Sequence, residues 1–439
     1  MNAPPAPGST AAYACSVDRP LPKETEIVVI GGGVVGVTAA LTLADRGVPV
    51  VLCEKGRIAG EQSSRNWGWI RNQGRDIREI PLMLESQALW RRYAARASSD
   101  FGLRENGIAY LAFTDDEMAE HVAWMDEARG FQLSSRLMSA AEAGALIGQP
   151  ATRFKGGIHT PTDLHAEPAL AVPALARLAS MAGVQVFENT AVRALNLENE
   201  QVTEIVTEHG HIACRSAIFA GGAWSRTFLE NIGFSLPQLA IRSQAFRTAP
   251  VNAITPGPAG TTGASIRPRR DGGVTIGRSH AGRFDIIPAA FTHFRHFYPH
   301  ALAHWRTMSI RIGPEFFGAL GHNRWSPDQF SPMEAARVLD PTPDPSVIRG
   351  IHRNAVDVFP QLQGVPIAET WGGMIDVMPD ELPVIGSLPG LQGLTLATGM
   401  SGHGFGLGPG AGRLAADLVT GAKPVADPSP FSPTRFLRT

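Results

Sequence analysis

The chain has 439 residues and a formal net charge of −1, with 39 Lys and Arg residues against 40 Asp and Glu residues. This balance excludes the strongly basic surface expected of a protein that binds nucleic acid, so we expect a small-molecule partner. At roughly 150 residues per domain the length allows two or three domains. The 47 Gly and 34 Pro residues argue against a coiled coil or a helix bundle and indicate packed domains with many turns.

The N-terminal region and the cysteines bear on localisation. Residues 1–22 lack a basic start followed by an apolar run, which predicts a flexible lead segment and not a secretory signal. The cysteines form no CxxC pair and are odd in number, which disfavours a disulfide framework or a structural zinc site. We therefore expect a cytoplasmic protein without a metal; the cysteines are Cys15, Cys53 and Cys214.

The first predicted elements are a strand, a glycine-rich turn and a helix. Residues 26–30 are rich in Ile and Val and precede the pattern Gly31-x-Gly33-x-x-Gly36, after which a helix is expected to end near residue 47. A second strand at residues 50–53 completes a βαβ unit. Because residues 27–44 carry several glycines and change character midway, we predict this unit instead of a membrane span.

Each glycine of this pattern has a predicted role in binding a dinucleotide. Gly31 allows the tight turn, Gly33 lets the backbone approach a pyrophosphate, and Gly36 permits close packing of helix on strand. The helix N-terminus offers free N–H groups to phosphates. Glu54, at the end of the second strand, suits a ribose diol and disfavours NADP. The pattern does not distinguish NAD from FAD; its predicted cofactor contacts are Gly31, Gly33, Val34, Val35, Gly36, Glu54 and Lys55.

The next segment, residues 60–75, reads as a loop dense in hydrogen-bonding side chains. With the preceding βαβ unit it resembles the D-amino-acid-oxidase-like superfamily of flavoproteins, which includes glycine and sarcosine oxidases and bacterial amino-acid dehydrogenases and deaminases. The resemblance implies that this loop passes the pyrophosphate and lies under the isoalloxazine ring, with Arg71 near the ring. The residues implied to contact FAD are Ser63, Ser64, Arg65, Asn66, Trp67, Gly68, Trp69 and Ile70.

The middle of the chain predicts an inserted domain and a return to the cofactor. Residues 101–146 have a mostly helical pattern, residues 159–168 read as a loop, and a helix is expected at 169–182. Four short strands, at 184–187, 191–195, 202–207 and 212–214, predict a β-meander. The resemblance places Val192 near the adenine and Gly221, Gly222 and Trp224 in a turn that touches the cofactor.

Two further features precede the C-terminal region. Residues 265–278 predict a hairpin that turns at residues 271–273. A row of histidines at helical spacing invites a metal-site interpretation, but Pro299 falls among them and should break a helix. We therefore predict no metal and a surface or interface stripe formed by His293, His296, His300 and His304.

The C-terminal region has the most specific pattern. A Trp-Gly-Gly segment begins at Trp371, a strand is predicted at residues 394–398, and a glycine-rich turn at residues 399–412 opens a helix to residue 421. A helix N-terminus favours negative charge, and in the resembling family this charge is that of the reduced flavin. The implied contacts are Gly373, Gly402, His403, Gly404, Phe405 and Gly406. No cysteine follows Trp224, so we expect non-covalent FAD.

The predicted fold class is α/β, with two interleaved units. A Rossmann-like FAD-binding domain is assigned to residues 23–100, 157–235 and 345–425. An α+β substrate domain, built on a mostly antiparallel sheet, is assigned to residues 101–156 and 236–344, and residues 426–439 form a C-terminal tail.

The resemblance implies oxidation of the C–N bond of an amino acid or amine. Hydride passes from the α-carbon to flavin N5, the imine hydrolyses to a carbonyl compound and ammonia or an amine, and electrons go to oxygen, giving H2O2, or to another acceptor. Positioning of the substrate should supply most of the rate. A dehydrogenase or monooxygenase of another small molecule and a non-catalytic flavoprotein subunit stay open as alternatives, as does association into an oligomer.

In the resembling family an Arg-Pro pair commonly follows the Trp-x-Gly segment, and its Arg binds the substrate carboxylate. This sequence departs from the family at these two positions. Ile375 and Asp376 occupy these positions. Either another cation binds the carboxylate, or the substrate is an amine without one and Asp376 attracts its ammonium group. The candidate cations are Arg71, Arg242 and Arg324.

The predicted catalytic residues are therefore Arg71, Asp376 and His403. His403 lies in the flavin turn, where it could polarise the substrate or oxygen. Each has a structural alternative: a structural hydrogen bond for Arg71, a helix or turn cap for Asp376, and contacts with backbone or cofactor groups for His403.

Overall fold

The computed structural model describes residues 20–279, 282–304, 309–321 and 324–436. Most of the predicted lead segment, including Cys15, lies outside these ranges, and so do residues 437–439 of the predicted tail. Within residues 426–436, Phe431 is buried in the main core and Arg435 pairs with Asp380. The described part of the tail is therefore packed on the fold.

The first sheet has a parallel centre. Within the described ranges its strands follow the order β11-β10-β21-β12-β1-β2-β8, with β20 beside β21 and β9 beside β10. Neighbours from β10 to β8 in this order pair in parallel, whereas β9, β11 and β20 pair antiparallel. The strands are β1 (Ile27–Ile30), β2 (Val50–Cys53), β8 (Gln185–Phe187), β9 (Val192–Glu198), β10 (Gln201–Thr207), β11 (Gly210–Ala213), β12 (Ser216–Phe219), β20 (Val384–Leu388) and β21 (Leu391–Thr398).

The strand at residues 184–187 was wrongly predicted to belong to the meander. It is β8, which pairs in parallel with β2, while β9, β10 and β11 form the meander. The short apolar run identifies a strand but carries no signal for its partner. Every residue of β1 and β2 is buried, as expected for parallel strands covered on both faces.

Four helices cover this sheet: α1 (Val34–Ala44), α3 (Ile80–Arg96), α6 (Pro168–Met181) and α12 (Gly404–Val419). Helix α1 packs against both α6 and α12, and α12 also packs against α3. Because α1 is enclosed in this way, all its residues except the last are buried. The predicted helices at the first glycine motif, at residues 169–182 and after the C-terminal glycine-rich turn are confirmed.

The second sheet follows the order β18-β17-β13-β16-β15-β14-β4-β6-β5, with β19 beside β13, among the described residues. Two pairs, β4 with β14 and β17 with β18, are parallel, and the other pairs are antiparallel. The strands are β4 (Ile108–Ala112), β5 (Arg136–Met138), β6 (Gly156–Thr160), β13 (Leu239–Thr248), β14 (Ala259–Gly260), β15 (Ser265–Pro268), β16 (Val274–Gly277), β17 (Arg283–Asp285), β18 (Ser309–Arg311) and β19 (Ile367–Val377).

The predicted hairpin at residues 265–278 is confirmed as β15 and β16. Two strands from segments assigned to the FAD-binding domain, β6 and β19, instead hydrogen-bond into the second sheet. Residues 159–168, expected as a loop, contain the end of β6 and also β7 (Leu164–His165), which pairs with β3 (Trp69–Ile70). Long-range pairing of this kind leaves no local trace in the sequence.

The remaining helices are short or peripheral. They are α2 (Gln62–Arg65), α4 (Asp115–Ala128), α5 (Ala140–Leu146), α7 (Ser225–Asn231), α8 (Pro288–Thr292), α9 (Phe294–His304), α10 (Pro332–Ala335) and α11 (Pro345–Val358). The region 101–146 is only partly helical, since it also contributes β4 and β5. In the described ranges no helix is long and apolar enough to cross a membrane.

Two expectations about the histidine row were wrong. Helix α9 continues through Pro299, and it is held in place by Phe297, which packs in a small core with Ile287 and Val377. His293 does not face solvent, because it is 3% exposed and lies 3.5 Å from Glu230. The side chains of His300 and His304 lie outside the described residues, and no metal-binding cluster occurs among the described ones.

Candidate active site

A large cavity lies where the two sheets meet. It is lined by the turn after β1, the end of β2, the loop through α2, part of β19 and the turn that begins α12. The carboxyl ends of parallel strands meet here, which is where open α/β sheets bind their ligands. The fold therefore gathers the predicted cofactor segments, which are far apart in the sequence, around one space.

The turn after β1 is built for close approach of backbone. Gly31 has a φ of +111°, and a Cβ there would press on the carbonyl oxygen of Ala220. A Cβ on Gly36 would press on the carbonyl oxygen of Gly31. Val34 N–H donates to Ser63 Oγ at 2.9 Å, which ties the start of α1 to the following loop. The tight turn and the close helix–strand packing are thus as predicted.

Glu54 is fixed at the cavity wall by backbone amides. Its Oε2 accepts from Gly32 N–H at 2.7 Å and its Oε1 from Gly56 N–H at 2.8 Å. Burial raises the pKa of Glu54 above its usual value, an effect that neighbouring Lys55 and these amides oppose. Lys55 pairs with Glu61 at 2.7 Å and lies 4.6 Å from the ring centroid of Trp224.

The loop at residues 60–70 is anchored to the second sheet and to Asp340. Arg65 donates through Nη1 to Asp340 and to the Gly372 carbonyl, and its own carbonyl accepts from Trp371 Nε1 at 2.8 Å. The Trp67 carbonyl accepts from Arg267 Nε at 2.6 Å. The loop therefore has a defined path along the cavity.

Most of the predicted cofactor residues line this cavity. Those that do are Gly31, Gly33, Val34, Val35, Glu54, Lys55, Ser63, Arg65, Asn66, Trp67, Trp69, Val192, Gly221, Gly222, Trp224, Gly373, Gly402, His403, Gly404, Phe405 and Gly406.

Four predicted contacts do not line the cavity, and each has a structural reason. Gly36 packs helix α1 on β1, and Gly68 lies directly against the Ala166 carbonyl oxygen and the Arg267 side chain. Ser64 Oγ donates to the Glu61 carbonyl, and Ile70 is fully buried in the main core.

Two arginines occupy the cavity wall beyond Trp69. Arg71 lies 5.4 Å from the ring centroid of Tyr110 and donates to the Gln73 carbonyl. Arg75 is 5% exposed, and its Nη1 has no hydrogen-bond partner. Burial, together with the nearby Arg71, lowers the pKa of Arg75 to about 10. Among the described residues neither guanidinium forms a salt bridge with a carboxylate, so both present charge to the cavity.

Asp163 holds the backbone of the loop that carries these arginines. Its Oδ1 accepts from Asn72 N–H at 2.8 Å and from Gln87 Nε2 at 2.9 Å. Burial raises the pKa of Asp163 to about 6. The bond from Asn72 holds the loop, and among the described residues Asp163 forms no salt bridge with Arg71 or Arg75.

The other two cations predicted to bind a carboxylate do not line the cavity. Arg242 pairs with Glu315 at 2.8 Å and lies 3.6 Å from Asp285, and Arg324 is exposed. Of the three candidates only Arg71 is part of the wall.

Asp376 lines the cavity but is engaged by its own fold. It is 1% exposed, and its Oδ2 accepts from Met400 N–H at 3.0 Å and Gln238 Nε2 at 3.1 Å. Burial raises the pKa of Asp376. These bonds match the turn-cap alternative, because they hold the glycine-rich turn before α12 against β19. Its neighbour Ile375 lies beside Gly402.

His403 occupies the N-cap position of α12 and lines the cavity. Its Nδ1 lies 3.3 Å from Oε1 of Glu79, which is fully buried. Burial lowers the pKa of His403, with Arg75 adding to the effect and Glu79 opposing it. These effects together favour the neutral ring over the imidazolium.

Sequence reasoning missed Arg75, Tyr110 and Glu79. Arg75 lies four residues after Arg71, in the same loop that is predicted to contact FAD. Its position in this loop is the sequence signal that could have identified it. Tyr110 comes from β4 and Glu79 precedes α3, and only the tertiary fold brings them to the cavity.

The residues present fit a flavin dinucleotide. The cavity is lined by the first residues of two long helices, α1 and α12, and by glycines from three turns. Helix N-termini and glycine-rich turns suit the phosphates and a ring that becomes anionic. Glu54 stands where a ribose diol is expected. The fold and site thus define a dinucleotide-binding flavoprotein.

Comparison with known proteins gives the family. The model of the FAD dependent oxidoreductase family matches residues 26–418. A glycine oxidase of Pseudomonas putida is 25% identical over 93% of this chain and 98% of that protein. The chain belongs to this family, and its cofactor is FAD.

Solved structures of relatives share the whole fold. An L-amino acid deaminase from Proteus myxofaciens, in complex with anthranilate, superposes with a TM-score of 0.92 at 29% identity, covering 98% of this chain and 97% of that one. An L-proline dehydrogenase from P. horikoshii gives a TM-score of 0.78 at 26% identity, covering 95% and 98% of the respective chains.

We expect FAD to be released when the holoprotein is precipitated with acid, because the buried Cys53 and Cys214 are poor nucleophiles. Burial raises the pKa of both thiols to about 12, and the thiolate is the reactive form. The measurement is flavin absorbance in the supernatant and the pellet. A pellet that stays yellow after washing contradicts a non-covalent cofactor.

Proposed function

We propose that this protein oxidises the C–N bond of an α-amino acid and that Arg71 and Arg75 bind the substrate carboxylate. The observation that carries the proposal is the pair of guanidiniums on the cavity wall, both free of carboxylate partners among the described residues. A guanidinium recognises a carboxylate with two parallel N–H donors. Arg75 lines the cavity, and its buried Nη1 has no hydrogen-bond partner among the described residues.

This arrangement replaces the carboxylate-binding arginine that the family commonly has at the position of Ile375. The cation comes from the flavin loop instead of β19, and the family's position is filled by an apolar side chain beside Gly402. When bound, FAD accepts the hydride of the α-carbon. The chain's own residues then orient the substrate, hold its carboxylate and exclude water with the aromatic wall of Trp67, Trp69 and Tyr110.

Relatives support this substrate class. The similar proteins are named as a glycine oxidase, an L-amino acid deaminase and an L-proline dehydrogenase, whose named substrates all carry an α-carboxylate. The alternative of an amine without a carboxylate depended on Asp376 attracting the ammonium group. It has less support, since Asp376 Oδ2 is already occupied by Met400 and Gln238.

The remaining assignments extend the same proposal. The first sheet and its helices form the FAD-binding unit, and the largely antiparallel second sheet forms the substrate unit. Unpaired, buried Cys53 and Cys214 support a reducing compartment such as the cytoplasm. Electrons pass to oxygen or to another acceptor. A comparison of peroxide release in air with dye reduction in the absence of oxygen distinguishes these two cases.

Anaerobic bleaching of the flavin tests the substrate class. We expect amino acids to bleach the wild-type flavin and the matching amines without a carboxylate to do so far more weakly. The variants Arg71→Met and Arg75→Met should each weaken amino-acid binding by about 30- to 1000-fold, because each removes one charged partner of a buried contact. Binding of the plain amines should change little.

Arg324→Met is the matched control, since Arg324 is exposed and outside the cavity. It should bind amino acids as the wild type does. Equal bleaching by amino acids and plain amines in the wild type, or unchanged amino-acid affinity in both cavity variants, contradicts the assignment. Flavin content checks that each variant is folded.

A further inference from the structure

The site contains a proton acceptor as well as a carboxylate site. An amino acid carries an ammonium group near pH 7, but loss of hydride from the α-carbon requires the free amine lone pair. His403 lines the cavity, and its Nδ1 faces the fully buried Glu79 at 3.3 Å. Its Nε2 has no hydrogen-bond partner among the described residues, so this nitrogen remains available to the substrate.

Resting on the function proposed above, we propose that His403 accepts the proton of the substrate ammonium, with Glu79 as the positioning residue that holds its ring. One N–H bond of the ammonium breaks and leaves its electron pair on nitrogen, while an N–H bond forms at Nε2 of His403. The neutral amine is then ready to lose hydride, and the imidazolium returns its proton to solvent after turnover. The transfer is acid–base chemistry alone.

The carboxylate site is coupled to this acceptor by charge. The charged and titratable groups that act on His403 are Glu79, Arg75, Arg71 and Asp76. Burial and the two arginines lower the pKa of His403, which favours the neutral ring in the free site. A carboxylate bound to Arg71 and Arg75 offsets their charge, and His403 becomes a stronger base when an amino acid occupies the site. A plain amine does not produce this effect.

The first test is the pH profile of flavin bleaching under anaerobic conditions. In the wild type kcat/KM should fall as pH drops through the lowered pKa of His403, because protonated His403 accepts no proton. In His403→Asn the fall should move up to the pKa of the substrate amine itself. The loss near pH 7 should be about 10²- to 10⁴-fold, the usual contribution of a general base, and the rate should recover at alkaline pH.

Two variants refine this test. In Glu79→Gln the fall of kcat/KM at low pH should occur at a lower pH than in the wild type, since Glu79 raises the pKa of His403. If Glu79 has a purely structural role, the fall of kcat/KM stays at the wild-type pH.

His121→Asn is the matched control, because His121 on α4 also has a pKa lowered by burial but lies outside the cavity. Its profile should equal that of the wild type.

A second measurement does not depend on turnover. Ring ¹³C shifts of labelled histidine, with the His403 signal assigned by its loss in His403→Asn, report the pKa of His403 in the holoprotein. Saturating isobutyrate, a carboxylate without an amine, should raise this pKa in the wild type and leave it unchanged in the double variant Arg71→Met/Arg75→Met. No change in the wild type overturns the coupling.

The outcomes separate the two proposals. If no amino acid or amine bleaches the wild-type flavin, the proposed function fails. If the wild type is bleached by amino acids and His403→Asn keeps the wild-type pH profile, the proton acceptor is refuted and the proposed function stands.

Discussion

Gly36→Ala is expected to yield a protein that is purified without FAD and is less stable than the wild type. The new Cβ would lie directly against the carbonyl oxygen of Gly31. Because the Cβ would meet backbone and not the end of a flexible side chain, relief requires α1 to move away from β1, which displaces the amides of Gly33 and Val34 from the cavity. Tenfold weaker FAD binding corresponds to about 1.4 kcal/mol, and we expect the displaced helix to weaken FAD binding by more than this.

The measurements are flavin absorbance per protein and urea unfolding of the apoprotein. Gly350→Ala is the matched control, since Gly350 lies in α11 and a Cβ there has open space around it. The control should keep its FAD and gain up to about 1 kcal/mol from helix propensity. Full FAD content in Gly36→Ala would refute the close-packing argument.

Glu167→Ala should lower the free energy of unfolding by about 3–5 kcal/mol, the usual effect of removing one partner of a buried ion pair. Arg267 is 1% exposed and contacts both carboxylate oxygens of Glu167 at 2.9 Å. With Glu167 gone, the guanidinium stays buried without its counter-charge. It also donates to the Trp67 carbonyl, so FAD affinity should fall together with stability.

The same ion pair predicts a pH dependence. The guanidiniums of Arg267 and Arg269 overcome the desolvation of Glu167 and hold its pKa at about 2, below the ordinary value of 4.5. Its stabilisation is therefore complete above the unfolded pKa and is lost as pH falls from that value towards 2. Urea unfolding of wild type and Glu167→Ala across this range should show the difference shrinking.

Asp126→Ala provides the surface control for this prediction. Asp126 and Arg129 form an exposed ion pair, worth at most about 1 kcal/mol. If Glu167→Ala lowers the free energy of unfolding no more than this control does, the buried ion pair contributes little to stability.

Most of the predicted cofactor residues line the cavity, because the signals that identify them in the sequence are local. The turn at Gly31, the acid at Glu54 and the turn before α12 each depend on neighbouring residues and on a strand or helix beside them. Glycine residues mark positions where the backbone can come close to another backbone or to a ligand. The sequence alone therefore identifies these positions.

The residues around the proposed substrate site are harder to predict, because they come together from distant parts of the sequence. Tyr110 arrives on β4, Asp163 follows β6, and Glu79 approaches His403 across more than 300 positions of sequence. The role suggested for Asp376 illustrates the limit. Its charge was visible in the sequence, but the amide of Met400 that occupies it was not.

The segment at residues 60–75 is continuous and serves both ends of the site. Its first part runs along the predicted dinucleotide contacts through Ser63 and Arg65, and its last part carries Arg71 and Arg75. Anything that orders one part restricts the conformations of the other. On the proposed function, in which Arg71 and Arg75 bind the substrate, we expect substrate and cofactor to be thermodynamically linked through this one stretch of chain: each should change the affinity for the other by the same factor.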